Sequence, residues 1–359
     1  MSNRSIAGAA LALLFLDGPA LCVTKPFEKV STTVNNATTF PRGVRNIGMG
    51  GAGVADISGF STGYFNPASF AWSDAVTFGA STSGWMDVLH YADARLSAGY
   101  PLKGTVLGAA LRLGGSIAYS DASMDLRCGG TIYVPEGTAA SCETDNHDRY
   151  VSGSLAARAK KGIWELGLGG TAKYIDVKGA GQYTAWAFDL GFVAAADIER
   201  AAGSGLRPRV GASVRNLGED IHYSTIGVEQ PGEYRYGGGL DVFTRPVASV
   251  TERLHRRVPA VGVSFDYDVV KGDGTNHADG WAFGAETSFF RMVSLRAGWS
   301  KDAFFSTDCT TYGIGLGWDF GRLLFQLDYA RIDPSCDLCG LLGIHPEHDA
   351  FGLVVGGRF

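Results

Sequence analysis

After Thr24 the sequence lacks any apolar run long enough to cross a bilayer as a helix, so an inner-membrane helical protein is not expected. It lacks the 3.6-residue apolar spacing that an α/β enzyme would show between its strands. Charge is sparse, at 19% of residues against about a quarter in ordinary domains. The net charge of −5 gives no basic field for nucleic acid. No nucleophile, base and acid stand in a recognisable motif, so neither an enzyme nor a bound cofactor is expected.

Glycine is abundant, with 51 in 359 residues. The first residues read as an export signal. Arg4 supplies the positive end, Ile6–Leu16 a short apolar core, and Asp17, Gly18 and Pro19 its end. Cleavage is expected between Pro19 and Thr24. Cys22 follows Leu21, where a lipidation site would carry a small residue, so a lipid anchor is not expected. The boundaries are 1–23 for the signal, 24–73 for an N-terminal periplasmic segment, and 74–359 for the main body.

That body alternates with a period of two. Phe283, Ala285, Thr287 and Phe289 share one face, and Gly284, Glu286 and Ser288 the other. After a turn at Phe290–Met292, Val293, Leu295, Ala297 and Trp299 alternate with Ser294, Arg296 and Gly298. The same pattern runs through Leu107–Gly114, Leu166–Tyr174, Trp186–Ala195, Val261–Asp268 and Tyr312–Asp319. Successive strand side chains point to opposite faces, so each segment has an apolar and a polar side.

A soluble sandwich and a membrane barrel both give this pattern. Segments of about ten residues, as a tilted spanning strand needs, favour the membrane. So does a polar face made mostly of Gly and small residues. Aromatics at segment ends (Tyr100, Trp164, Trp281, Trp299, Trp318) fit interfacial girdles. The expected fold is all-β, a transmembrane antiparallel β-barrel of about 14 strands in a bacterial outer membrane. Short turns are read at Pro101–Gly104, Lys160–Gly162, Phe290–Met292 and Phe320–Arg322, and long external loops between the other strands. The turn Thr244–Arg257 carries a basic run, Arg253, His255, Arg256 and Arg257, read as a solvated face. Phe359 ends the last strand and is the expected signal to the barrel assembly machinery.

Phe40–Trp72 does not alternate. Gly48, Gly50 and Gly53 fit G-x-G-x-x-G, with Asp74 about 20 residues on, but no apolar strand precedes them and no helix follows. Small residues here instead let the backbone pack against an inner barrel wall. The expected hatch residues are Gly48, Gly50, Gly51, Gly53, Asn66, Pro67 and Ala68. Inward-facing polar residues include Arg112, Asp189, Arg215, Asp266, Glu286 and Arg296, read mainly as paired charges that hold the hatch, or else as a polar permeation path. Glu286 and Arg296 are expected to pair if their strands are adjacent.

The ordered set Arg45-Asn-Ile-Gly-Met-Gly-Gly-Ala-Gly53, Asn66-Pro67-Ala68, Gly211-Ala-Ser-Val-Arg-Asn-Leu-Gly218, Gly284-Ala-Glu-Thr-Ser-Phe-Phe290, Leu295-Arg-Ala-Gly298 and Leu327-Asp-Tyr329 resembles the PorV/PorQ family, a branch of the FadL-like outer-membrane barrels. The resemblance spans most of the chain after the signal. It implies a 14-stranded barrel with the N-terminal segment as an internal hatch around Asn-Pro-Ala. It implies either a channel for small hydrophobic molecules or a PorV-like part in type IX protein secretion. The partners implied are outer-membrane lipids and the assembly machinery, with a small hydrophobic ligand in the first case and secreted proteins in the second.

Cys128, Cys142, Cys309, Cys336 and Cys339 all map to long external loops, where disulfides are permitted. Cys128–Cys142 is one candidate pair, and Cys309 with Cys336 or Cys339 the other. Cys336-x-x-Cys339 with His345 and His348 could also offer metal ligands, but the spacing matches no standard site, so no metal is expected.

Overall fold

Alternation within each segment becomes pairing between segments. The computed structural model describes residues 43–57, 60–85, 89–125, 145–178, 182–199, 204–218, 221–223, 226–228, 232–244, 259–273, 279–301, 308–319, 322–334 and 348–358. The proposed signal and Phe359 lie outside them, as does the basic run 253–257.

Fourteen strands form one closed antiparallel ring. They are β1 (Val76–Trp85), β2 (Leu89–Val106), β3 (Ala109–Asp125), β4 (Asp145–Lys161), β5 (Trp164–Lys178), β6 (Gln182–Ala196), β7 (Gly205–Gly218), β8 (Gly232–Phe243), β9 (Val261–Asp273), β10 (Gly280–Phe289), β11 (Val293–Lys301), β12 (Asp308–Asp319), β13 (Leu323–Pro334) and β14 (His348–Gly357). Each pairs with the next in sequence, and β14 closes on β1 from Val76↔Gly357 to Ser83↔Ala350. A two-residue strand, Ile198–Glu199, adds to the start of β7, and a small hairpin, Ile221–Tyr223 with Ile226–Val228, lies between β7 and β8. Closure leaves no strand edge, which is what a sheet needs in lipid.

The register places the alternating faces as the sequence implies. Phe265, Tyr267, Phe283, Leu295, Trp299, Tyr312 and Ile314 are exposed on the outside. Asp266, Asp268 and Arg296 are buried inside. In water this apolar band would far exceed what a soluble monomer shows; against acyl chains it costs nothing. Aromatic pairs brace it, with ring centroids 5.2 Å apart for Trp281 and Trp299 and 5.3 Å for Tyr174 and Trp186.

One short turn differs from expectation. β2 runs straight through Pro101–Gly104, with a register shift between Pro101 and Thr105. The chain reverses at Leu107 and Gly108, whose φ angles of 51° and 76° suit a tight hairpin of the right twist. Pro and Gly here mark a bulge: proline gives no ladder donor, and the extra residues relieve the mismatch. The turn at Phe290–Met292 is where the sequence puts it, with Phe290 and Arg291 at φ 51° and 56°.

The segment before β1 lies inside the ring. It has one helical turn, α1 (Val44–Ile47), a 3₁₀ turn at Thr62–Tyr64 and a 3₁₀ helix at Pro67–Trp72. Asn66 caps the last: its Oδ1 accepts from Ala68 N at 3.1 Å, and Pro67 occupies the first position, where no donor is needed. Met49, Ala52, Val54, Phe65 and Ala71 have no exposed surface, so the segment is packed on all sides.

Candidate functional site

The inner segment is seated in glycines of the wall. A Cβ built on Gly298 would overlap the backbone at Gly50; on Gly284, that of Met49; on Gly211, that of Val54; on Gly114, that of Phe70; and on Gly191, the side chain of Asn66. The inward glycines are thus sockets for a second backbone, a closer approach than any side chain allows.

Each expected hatch residue has a specific seat. Gly48 stands against Gly313 of β12. Gly50, at φ 70°, donates its N–H to Thr311 Oγ1 at 2.8 Å. Gly51, at φ 81°, accepts from Arg235 Nη1 at 2.8 Å. Both need the left-handed backbone that glycine adopts freely. Gly53 N donates to Asp268 Oδ2 at 2.8 Å, and Val54 N to the same carboxylate at 3.0 Å. Asn66 Nδ2 donates to Val54 O at 2.7 Å and to the wall carbonyls of Phe192 at 2.8 Å and Ala212 at 3.3 Å. Pro67 and Ala68 lie with their backbone against Gly169.

The expected inward charges are mostly paired. Asp189 meets Lys173 at 2.7 Å and accepts Asn216 N at 2.9 Å. Arg215 pairs with Glu233 at 3.1 Å and lies over the Tyr64 ring, 5.2 Å from its centroid. Asp266 meets Arg209 at 3.1 Å, and Arg209 also reaches Asp241 and the hatch residue Asp56. Glu286 and Arg296 pair across the hairpin at 2.6 Å, and Arg296 continues to Asp328 at 2.6 Å. The hatch joins this network through Arg45, which binds both Asp56 and Glu286. Paired, hydrogen-bonded charges of this kind fix one arrangement; removing a partner is what costs. Arg112 is different. It lies half-buried with no ion pair, and its Nε has no hydrogen-bond partner.

The inner face is not uniformly polar, which sequence reasoning missed. Toward the ends of the strands joined by long connections, Tyr91, Ala122, Tyr150, Ile175, Val177, Ala185, Ile332 and Ala350 form one apolar cluster with the hatch residues Val44, Ile47, Tyr64 and Phe65. The signal was present at Ile175 and Val177, inward positions of β5 beyond Tyr174, where the polar side of the alternation turns apolar. At the other end, the short-turn end, Glu165, Arg158, Lys160, Asp197 and Arg207 form a charged cluster, and Trp72 Nε1 donates to Glu165 at 2.7 Å.

Between hatch and wall is a cavity of about 30 Å³, bordered by Val44, Tyr64, Ser81, Asp93, Arg95 and Asp328 among others. That holds a water or two; a cavity that binds benzene measures about 150 Å³.

Cys309 is buried on the inner face of β12, near the long-connection end. Cys128, Cys142, Cys336 and Cys339 lie outside the described residues, as does His345. Among the described residues no three His, Cys, Asp or Glu side chains gather as a metal site would need.

No family model and no curated protein matches the sequence. Solved structures do match in shape. The toluene transporter TodX of Pseudomonas putida aligns over 91% of this chain and 100% of its own, with TM-score 0.53 and 12% identity. The toluene transporter TbuX of Ralstonia pickettii aligns over 90% of this chain and 99% of its own, with TM-score 0.55 and 12% identity. The closed 14-strand ring, its apolar exterior and these two likenesses give the chain the fold of these outer-membrane barrels.

Proposed function

We propose that the protein is an outer-membrane channel for small hydrophobic molecules, shut in the conformation seen here by the segment 43–75. The observation that carries this reading is the apolar inner layer on the long-connection side of the hatch. A purely aqueous pore would gain nothing from burying Ile175, Val177 and Ile332 toward its lumen. A hydrophobic solute gains about 25 cal/mol for each Å² of apolar surface it takes out of water there. The two toluene transporters of the same fold support the reading. The test uses cells whose outer membrane has intact lipopolysaccharide and so excludes N-phenyl-1-naphthylamine. Cells carrying the protein should take up this neutral fluorophore faster than cells without it, and folded protein lacking Gly43–Phe65 faster still. Equal uptake in all three overturns the proposal.

Within the FadL-like barrels we assign the chain to the PorV/PorQ branch, on Arg45–Gly53 and the Asn66-Pro67-Ala68 cap. A secretion role of the PorV kind predicts co-purification with secreted proteins. It makes no use of an apolar lumen, which is why the channel reading comes first.

A further inference from the structure

Nine arginines face or adjoin the lumen among the described residues, and seven have a carboxylate. Arg45, Arg158, Arg207, Arg209, Arg215, Arg235 and Arg296 each sit within an ion pair. Arg95 and Arg112 do not, and both lie on the β2–β3 hairpin.

Arg95 is only 5% exposed, yet its Nε has no hydrogen-bond partner. Its guanidinium is held between two hatch rings, 5.5 Å from the Tyr64 centroid and 5.4 Å from that of Phe70. It borders the cavity between hatch and wall. Asp93 borders the same cavity, but accepts from Ser120 at 2.7 Å and makes no ion pair with Arg95. A cation left this way forgoes the pairing that most of the lumen arginines obtain, and ring faces return only part of it.

The register continues the row. Arg95 faces Ala118, Ser97 faces Ser116, Gly99 faces Gly114 and Pro101 faces Arg112. Ser116 is 8% exposed, and its Oγ also has no partner. Arg112 in turn stands directly opposite Arg158 on β4, like charge against like. Glu165 answers Arg158 but is shared with Lys160 and Trp72. Three unanswered polar groups therefore descend one hairpin from the cavity beside the hatch to the short-turn end. Between them the Phe70 backbone presses on Gly114.

We propose that the cargo is an aromatic molecule bearing an anionic group, and that it passes the hatch along β2 and β3, its charge handed from Arg95 past Ser116 to Arg112. Ion pairs bind the hatch to β7 through Asp56–Arg209 and to β10 through Arg45–Glu286, and hydrogen bonds bind it to β8, β9 and β12, whereas on the β2–β3 side it meets the wall through ring faces and the cavity. A shift of Phe70 off Gly114 opens this side without breaking an ion pair. Tyr64 and Phe70, which sandwich Arg95 in the closed form, then offer their faces to the ring of the cargo.

This inference rests on the channel reading and refines it, so the experiment must separate the two. Two probes share one skeleton: neutral N-phenyl-1-naphthylamine and 8-anilinonaphthalene-1-sulfonate, which stays ionised. Cells with the full-length protein should take up both. The double variant Arg95→Gln/Arg112→Gln, checked as folded by its heat-modifiable gel mobility, should lower uptake of the anionic probe relative to the neutral one about tenfold, the worth of one charge-assisted hydrogen bond. Arg95→Lys should restore part of the rate. If the double variant fails to fold, Arg112→Gln alone, which makes no hydrogen bond, ion pair or ring contact with the hatch, should still slow the anion selectively. Equal effects on the two probes, or none on the anion, overturn the inference and leave the channel standing. Failure of the neutral probe to enter removes the channel reading and this inference with it.

Discussion

Arg45 of the hatch and Glu286 of the wall are joined by two parallel hydrogen bonds, Nε to Oε2 at 3.0 Å and Nη2 to Oε1 at 3.1 Å. This fork-to-fork geometry is the strong form of the arginine–carboxylate pair. Glu286 also receives Arg296, so one carboxylate ties the hatch to β10 and β11 together.

Glu286→Gln should therefore loosen the hatch more than the barrel. Each arginine keeps another carboxylate, Asp56 for Arg45 and Asp328 for Arg296. The cost should fall near the low end for breaking a buried pair, about 3 kcal/mol. The measurement is limited proteolysis of folded protein in detergent. The variant should be cut within residues 43–75 while the barrel keeps its heat-modifiable mobility. Equal protection in variant and parent would show that the pair does not hold the hatch.

Gly114→Ala tests the sockets. The new Cβ would collide with the Phe70 carbonyl, a backbone atom that cannot rotate aside. Overpacking of this kind costs about 1–3 kcal/mol, and here the hatch can relieve it by moving away. Uptake of N-phenyl-1-naphthylamine should rise. Gly153→Ala, where a Cβ meets nothing, is the control and should behave as the parent. If the two variants leak alike, the close approach at Gly114 has no part in closure.

Acid should weaken the short-turn end through Asp197. Burial pushes this carboxyl up, but hydrogen bonds from Lys160 and Arg207 prevail and hold it at about 2, below its ordinary 3.8. A lowered folded-state value means stability that is full above pH 4 or so and is lost as pH falls toward 2. The gel-shift transition temperature should drop between pH 4.5 and about 2.5 in the parent. Asp197→Asn should start lower and change less over that range. Parallel curves for the two proteins would assign the acid sensitivity elsewhere.

Much of this architecture could be read from alternation alone. The outward series Phe283, Leu295 and Trp299 and the Glu286–Arg296 pair follow from a period of two and a tight turn at Phe290–Arg291. Pro101 and Gly104 misled because the residues that make turns also make bulges, and only the partner strand distinguishes them. The inner apolar layer was hidden for another reason. At Tyr150, Ile175 and Ile332 the inward side is apolar while the outward neighbours include Arg149, Asp176, Arg331 and Asp333, so the polar and apolar sides change places near the strand ends, and periodicity carries no label for which side is the lumen. The hatch was legible as a place where alternation stops. Its anchors were not, since Asn66 finds Phe192 and Ala212 some 126 and 146 residues away.

The glycine sockets lie on β3, β5, β6, β7, β10 and β11, so the inner segment is touched from most of the circumference at once. Its last residues run directly into Val76, the first residue of the strand that seals the ring. Wall and segment are thus matched to one another like a mould and its casting, and the seam of β14 with β1 closes beside the point where the segment ends. A change in the bulk of that segment is then felt on six strands at once.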